Sequence, residues 1–152
     1  VGGAGYAVVG YLGKVVSLES AVIVNTSPKE FMAERLRQIC APLRGLIVSL
    51  GVKNVVIEKP VVYGNEISQA AAVKGDLHTL SFSVGAICLC CLEAGVSAEN
   101  IELINPNQWK GQLSKGQVAE RVYPLVDQHR FSLKSHSIDA AGIALWWLGM
   151  FV

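Results

Sequence analysis

A chain of 152 residues, 51% of them hydrophobic, is long enough for one domain with a real core. Its net charge of +1 excludes a globally basic nucleic-acid binder but leaves room for a local basic patch. Only 16% of the residues are charged and mean hydropathy is +0.41, which points to helices buried on most sides or to a large subunit interface.

The start, VGGAGYAVVG, has no basic region or cleavage pattern and does not read as a signal peptide. Gly5–Leu12 (GYAVVGYL) and Lys14–Val24 (KVVSLESAVIV) are β-rich runs meeting at Gly13, the pattern of an antiparallel hairpin. Thr26-Ser27-Pro28-Lys29-Glu30 has the makeup of a helix start: a hydroxyl cap, a proline in the first turn, then an acid. Phe31, Leu36, Ile39, Leu43, Leu46 and Ile47 then recur at helical spacing up to Gly51, and Pro42 predicts a kink or break near Ala41.

Asn54–Glu58 (NVVIE) has the profile of a buried strand that ends on a carboxylate, and Lys59–Gly64 reads as a loop. Asn65–Gly95 is expected to be mostly helical, with Gly75 and Gly85 permitting close helix approach. Its window Leu80–Leu92 (LSFSVGAICLCCL) is uncharged but short of the roughly 20 residues a membrane span needs, so a buried core helix and no membrane partner are expected. Asn100–Ile104 reads as another strand, and Asn105–Lys115 as a polar loop. Ser114 begins a helix carrying Val118, Val122, Leu125 and Val126, and a last helix starts near Ser135 and runs to the end. With no repeat, low-complexity tract or linker, this order predicts one α/β domain with a mixed β-sheet flanked by helices. Cys40, Cys88, Cys90 and Cys91 match no zinc spacing and read as core thiols of a reducing compartment.

Two places carry chemistry. Glu58 follows Val55-Val56-Ile57 directly: either the chain simply emerges into solvent there, or the carboxylate stands at a strand's carboxyl end, where α/β sheets gather ligands. His136 and Asp139, at i and i+3, share a helix face and are able to hold one ion together. The alternative is capping, by Ser135 or Ser137, with Asp139 favouring the positive end of the helix dipole. His129 falls outside this face and reads as a surface residue.

Three segments in order carry a resemblance: IEKP at Ile57–Pro60, NPNQWKGQLSKGQV at Asn105–Val118 and HSIDAAGIAL at His136–Leu145. Together they resemble the RuvC family of Holliday-junction resolvases, phage-type members especially, within the ribonuclease H-like superfamily. The resemblance implies a ribonuclease H-like fold and a structure-specific endonuclease that cuts four-way DNA junctions as a homodimer, in the cytoplasm of a bacterium or a phage-infected host. By similarity, Glu58 matches the Glu closing the family's central strand. Asp139 matches the Asp of its last helix, and His136 falls where members place an Asp or a His. All three would be catalytic metal ligands for Mg²⁺ or Mn²⁺, two ions per site, with His136 shifting preference toward Mn²⁺ or positioning the attacking water.

Lys110 and Lys115 match basic positions of the family's loop motif and would face the phosphate backbone; Lys134 closes a stretch where Lys110, Lys115, Arg121, Arg130 and Lys134 outnumber Glu120 and Asp127. Tyr63 is the only aromatic in the loop after Glu58 and stands, slightly shifted, for the junction-opening wedge. Trp109 reads as a lid on the core before it reads as a stacking platform. The family begins with a strand ending in Asp, followed by a Gly-rich turn and a second strand. Val1–Val9 resembles that turn and second strand, so the first strand and its Asp would precede Val1 or be absent; Glu19, the first acid in the chain, is no substitute. Alternatives that stay open are a related nuclease acting on other branched DNA or RNA–DNA hybrids, a junction-binding protein without catalysis, and a membrane-associated or purely structural protein.

Overall fold

The protein is described from a computed structural model that covers residues 3–13, 15–61, 70, 75–126 and 133–150. In chain order its elements are β1 (Gly3–Leu12), β2 (Val15–Asn25), α1 (Met32–Leu50), β3 (Val55–Glu58), α2 (Asp76–Glu93), β4 (Ile101–Ile104), α3 (Pro106–Trp109), α4 (Lys115–Val122) and α5 (Ser135–Trp147). Single 3₁₀ turns lie at Ala98–Asn100 and Tyr123–Leu125. The chain divides into two compact units, one built on Asn25–Pro106 and the other joining Gly3–Val24 to Asn107–Val152.

In the first unit α1 buries Arg35, Ile39, Leu43 and Ile47, a stripe at four-residue spacing, and packs on α2. It begins at Met32, later than the Thr26–Glu30 pattern predicts. The Ser27 hydroxyl accepts from the Lys29 N–H at 3.3 Å and the Ser27 carbonyl from the Glu30 N–H at 3.2 Å, so these residues close a turn of their own around Pro28. Thr26 is also drawn away from capping: its buried hydroxyl accepts from Arg35 Nε at 3.2 Å. Pro42 does not break α1, which runs on to a left-handed Gly51 whose φ of 61° lets the Val52 N–H reach the Ile47 carbonyl. The buried Ile39 and Leu43 on either side hold the helix across the bond that Pro42 cannot donate.

β3 and β4 pair in parallel, Val55 opposite Ile101 and Glu58 opposite Ile104, with the α2 segment as the crossover that parallel strands require. β3 is half-buried up to Ile57 rather than fully buried. α2 is not buried all round either: Ser83, Cys90 and Cys91 face inward, while Phe82, Leu89 and Leu92 are 62%, 57% and 45% exposed. The Leu80–Leu92 window carries no charge and so no charged stripe, and its sequence does not mark the side that meets solvent. Gly75 and Gly85 correct a second expectation, for among the described residues a β-carbon at either would meet nothing within 4 Å; Gly75 instead starts α2 in a left-handed conformation. The Cys90 thiol donates to the Cys40 carbonyl at 3.4 Å, and Arg44 pairs with Glu93 across the two helices.

In the second unit β1 and β2 pair, and the two residues between them, Gly13 and Lys14, leave only an antiparallel hairpin. α5 packs on β1 and α4 on α5. The core here is Val118, Val122, Ala141, Ile143 and Leu145, none more than 5% exposed. Ser114 caps α4 reciprocally: its hydroxyl accepts from the Gln117 N–H, and Gln117 Oε1 accepts from the Ser114 N–H at 2.9 Å. α5 stops at Trp147 rather than running on, because the Gly149 and Met150 N–H groups fold back onto the Trp146 and Leu145 carbonyls. Among the described residues one antiparallel pair, one parallel pair and packed helices make the α/β fold that the element order predicts. Among the described residues no helix is long and apolar enough to cross a membrane.

Candidate active-site residues

Glu58 closes β3. The Lys59 N–H still donates to the Ile104 carbonyl at 3.0 Å, so the ladder fixes the backbone on both sides of Glu58. Its partner Ile104 is 1% exposed, while Glu58 itself reaches the surface. A carboxylate thus stands at the carboxyl end of a parallel pair, where open α/β sheets meet their ligands.

His136 and Asp139 lie at the start of α5, His136 exposed and Asp139 half-buried. Their spacing within one continuous helix puts them on a shared face, as their separation predicts. Between them Ser137 is 3% exposed; its hydroxyl accepts from the Lys134 N–H at 3.0 Å and donates to the Lys134 carbonyl at 2.8 Å. Ser137, one of the two serines the sequence offers as a cap, makes this contact.

Gly5 of β1 lies against this turn, though its residue type alone does not mark it as special. A β-carbon there would fall 2.8 Å from His136 Cβ and closer still to the His136 carbonyl. Nothing local in the sequence signals such a strand-to-helix approach. Glu19 is engaged elsewhere, accepting from the Ser17 hydroxyl within β2.

Among the described residues no three His, Cys, Asp or Glu side chains form a metal cage. The donor chemistry nonetheless suits a hard or borderline divalent ion, which one or two carboxylates hold while waters fill its other positions. Within its own unit α5 offers an imidazole and a carboxylate on one face. Cys40, Cys88 and Cys91 offer no rival nucleophile: burial pushes Cys40 up to about 11 and Cys91 up to about 12, and raises Cys88 as well.

Trp109 is 4% exposed, so it is a core lid and not a stacking platform; the Lys110 ammonium sits 4.9 Å above its ring. Lys115 is exposed on the first residue of α4, and Lys134 is exposed immediately before α5. Helix N-termini carry partial positive charge, so lysines there sit against the local field unless an anion joins them. Tyr63, His129 and Arg130 lie outside the described residues.

No family model and no curated protein matches the chain. Solved structures do. The fold is similar to that of Thermus thermophilus RuvC in complex with a Holliday junction substrate, at a TM-score of 0.71 and 24% identity over 96% of this chain and 89% of that one. A second Thermus thermophilus RuvC structure gives a TM-score of 0.70 and 23% identity over the same shares. At this identity the likeness is one of fold: the chain has the ribonuclease H-like α/β architecture of RuvC.

Proposed function

We propose that the chain is a phage-type RuvC resolvase, an endonuclease that cuts four-way DNA junctions by metal-dependent phosphodiester hydrolysis. The observation that carries this reading is the fold shared, over 96% of the chain, with a RuvC captured on a Holliday junction. Motif agreement supports it at the level of residues, since the matching Glu closes a parallel strand and the matching His and Asp start a helix. Residues 1–152 act as a single nuclease domain.

Glu58, His136 and Asp139 are the proposed catalytic residues and ligands of Mg²⁺ or Mn²⁺, two ions per site. Such ions, when bound, activate a water and stabilise the leaving 3′ oxygen. Glu58 and Asp139 supply carboxylate oxygens, whose charge offsets that of the cations. His136 supplies a neutral nitrogen, which favours Mn²⁺, or hydrogen-bonds the attacking water and orients it.

Lys110, Lys115 and Lys134 bind backbone phosphates, with the α4 and α5 N-termini adding their own positive ends. Tyr63 is the wedge that opens the junction. The protein works as a homodimer, whose two-fold axis matches that of the junction, and the exposed Phe82, Leu89 and Leu92 supply apolar surface for it. Its place of action is the cytoplasm of a bacterium or phage-infected host.

The deciding experiment is cleavage of a labelled four-way junction by the complete gene product, with Mg²⁺, with Mn²⁺ and with neither. Paired, symmetric nicks that require the metal are expected. Preferential cutting of flaps or RNA–DNA hybrids would move the assignment to another branch of the same fold, and tight junction binding without cleavage in either metal would remove the enzymatic reading.

A further inference from the structure

We propose that Gly5 is a positioning residue for the start of α5, setting where His136 and Asp139 stand; this rests on the metal-site reading above. Gly5 is the third residue of β1, and its backbone lies outside the left-handed region, so its conformation does not call for glycine. Glycine inside a strand weakens it, and close approach of another backbone is one reason to find it there. The neighbour is the first turn of α5. A β-carbon at residue 5 would stand 2.5 Å from the His136 carbonyl carbon and 2.8 Å from His136 Cβ, and closer again to the carbonyl oxygen. Ordinary van der Waals contact begins at 3.4 Å. The obstacle is mostly backbone, so no rotamer change relieves it.

Other glycines differ in this respect. At Gly10 the atoms nearest a β-carbon would be those of the flexible Ser17 and Glu19 side chains, and at Gly45 none of the described residues would come within 4 Å. Gly142 packs under Trp109 further along α5, so the helix is located by two glycine contacts, and Gly5 makes the one at the end that carries the polar pair. Adding a methyl at residue 5 therefore moves that end by roughly 1 Å, a misplacement able to cost on the order of 10²-fold in rate.

The test compares Gly5→Ala with Gly45→Ala and wild type. Three results are expected of Gly5→Ala: kcat for junction cleavage about 10²-fold lower, junction Kd within a few-fold of wild type because Lys110 and Lys115 lie away from the displaced turn, and His136 ring and Cβ NMR shifts displaced in the metal-free protein. Gly45→Ala is expected to match wild type in all three. The wild-type protein should also show a nuclear Overhauser contact between Gly5 Hα and His136 Hβ, which needs no variant. Absence of that contact, or a folded Gly5→Ala with wild-type His136 shifts and wild-type kcat, would overturn the proposal. So would a Gly5→Ala that fails to fold, since the glycine would then serve the whole unit. Should the wild-type protein cleave no junction, the nuclease reading fails, whereas the NMR comparison still decides whether Gly5 places His136.

Discussion

Trp109 fills the space that a side chain at Gly142 would need: a β-carbon there would stand 2.8 Å from the Trp109 Cζ3 atom and 3.4 Å from Cη2. The indole is thereby buried against α5, and the Lys110 ammonium rests over its ring. One glycine thus links the packing of the last helix to the seat of a lysine proposed to touch DNA. Gly142→Ala overpacks this contact and is expected to cost about 1–3 kcal/mol. Urea unfolding followed by tryptophan fluorescence measures it, and a variant as stable as wild type would mean that Trp109 has another place to go.

Glu58→Gln and Asp139→Asn preserve shape while removing the charge that holds a cation. A metal interaction worth several kcal/mol in the transition state corresponds to about 10³-fold or more in cleavage rate. Junction binding by gel shift, carried by the lysines, should stay within a few-fold of wild type. Cleavage by either variant at the wild-type rate in Mg²⁺ or Mn²⁺ would strike Glu58 or Asp139 from the site.

Lys110→Ala, Lys115→Ala and Lys134→Ala should each weaken junction binding and flatten its dependence on salt. Each phosphate that is no longer neutralised by a lysine lowers the slope of log K against log[salt] by about 0.9. Lys110 carries a further signature, because its removal also strips the cation from the Trp109 ring and should shift that residue's fluorescence. Fluorescence-anisotropy titrations at a series of salt concentrations separate the three, and an unchanged slope removes that lysine from the interface.

Much of this fold was legible because its signals are local. The Gly13 break announced the hairpin, the apolar bursts ending at Glu58 and Ile104 announced two strands, and Ser114 marked the start of α4. The His136–Asp139 face was legible for the same reason, since i, i+3 spacing has one meaning once a helix is granted. Local signals also mislead where two structures compete for one side chain. The Thr26–Glu30 stretch spends its hydroxyls on a turn and on buried Arg35, and α1 starts without a side-chain cap. Long-range contact is what stayed hidden: the exposed side of α2, and the meeting of Gly5 with His136, depend on partners that no period in the sequence encodes.

Substituting Ser114 tests the α4 start. Ser114→Ala removes the acceptor for the Gln117 N–H and half of the reciprocal cap, at a cost of about 1 kcal/mol. Ser114→Asp restores an acceptor, so its denaturation midpoint should return most of the way to wild type. A Ser114→Ala midpoint equal to wild type would show that water serves the helix end equally well.

Alkaline pH should expose the buried thiols as a cost to folding. Burial raises Cys91 to about 12 and Cys40 to about 11 from an ordinary 9.0. In the unfolded chain both ionise near 9.0, so above that pH the native state holds protons that the unfolded state has released. Unfolding then releases protons, and stability falls as pH rises, for Cys40 until about 11 and for Cys91 until about 12. Well below that ordinary value both states keep both protons and these thiols impose no slope. Melting temperatures between about pH 8 and about pH 10.5 should therefore drop more steeply for wild type than for the double variant Cys40→Ala, Cys91→Ala, which lacks these two protons and keeps only the smaller contribution of Cys88. The double variant starts lower, because it deletes buried sulfur, so the slopes and not the absolute values carry the comparison. Parallel slopes would mean that water reaches both thiols in the folded protein, and rapid alkylation of Cys91 by iodoacetamide at about pH 8 would say the same.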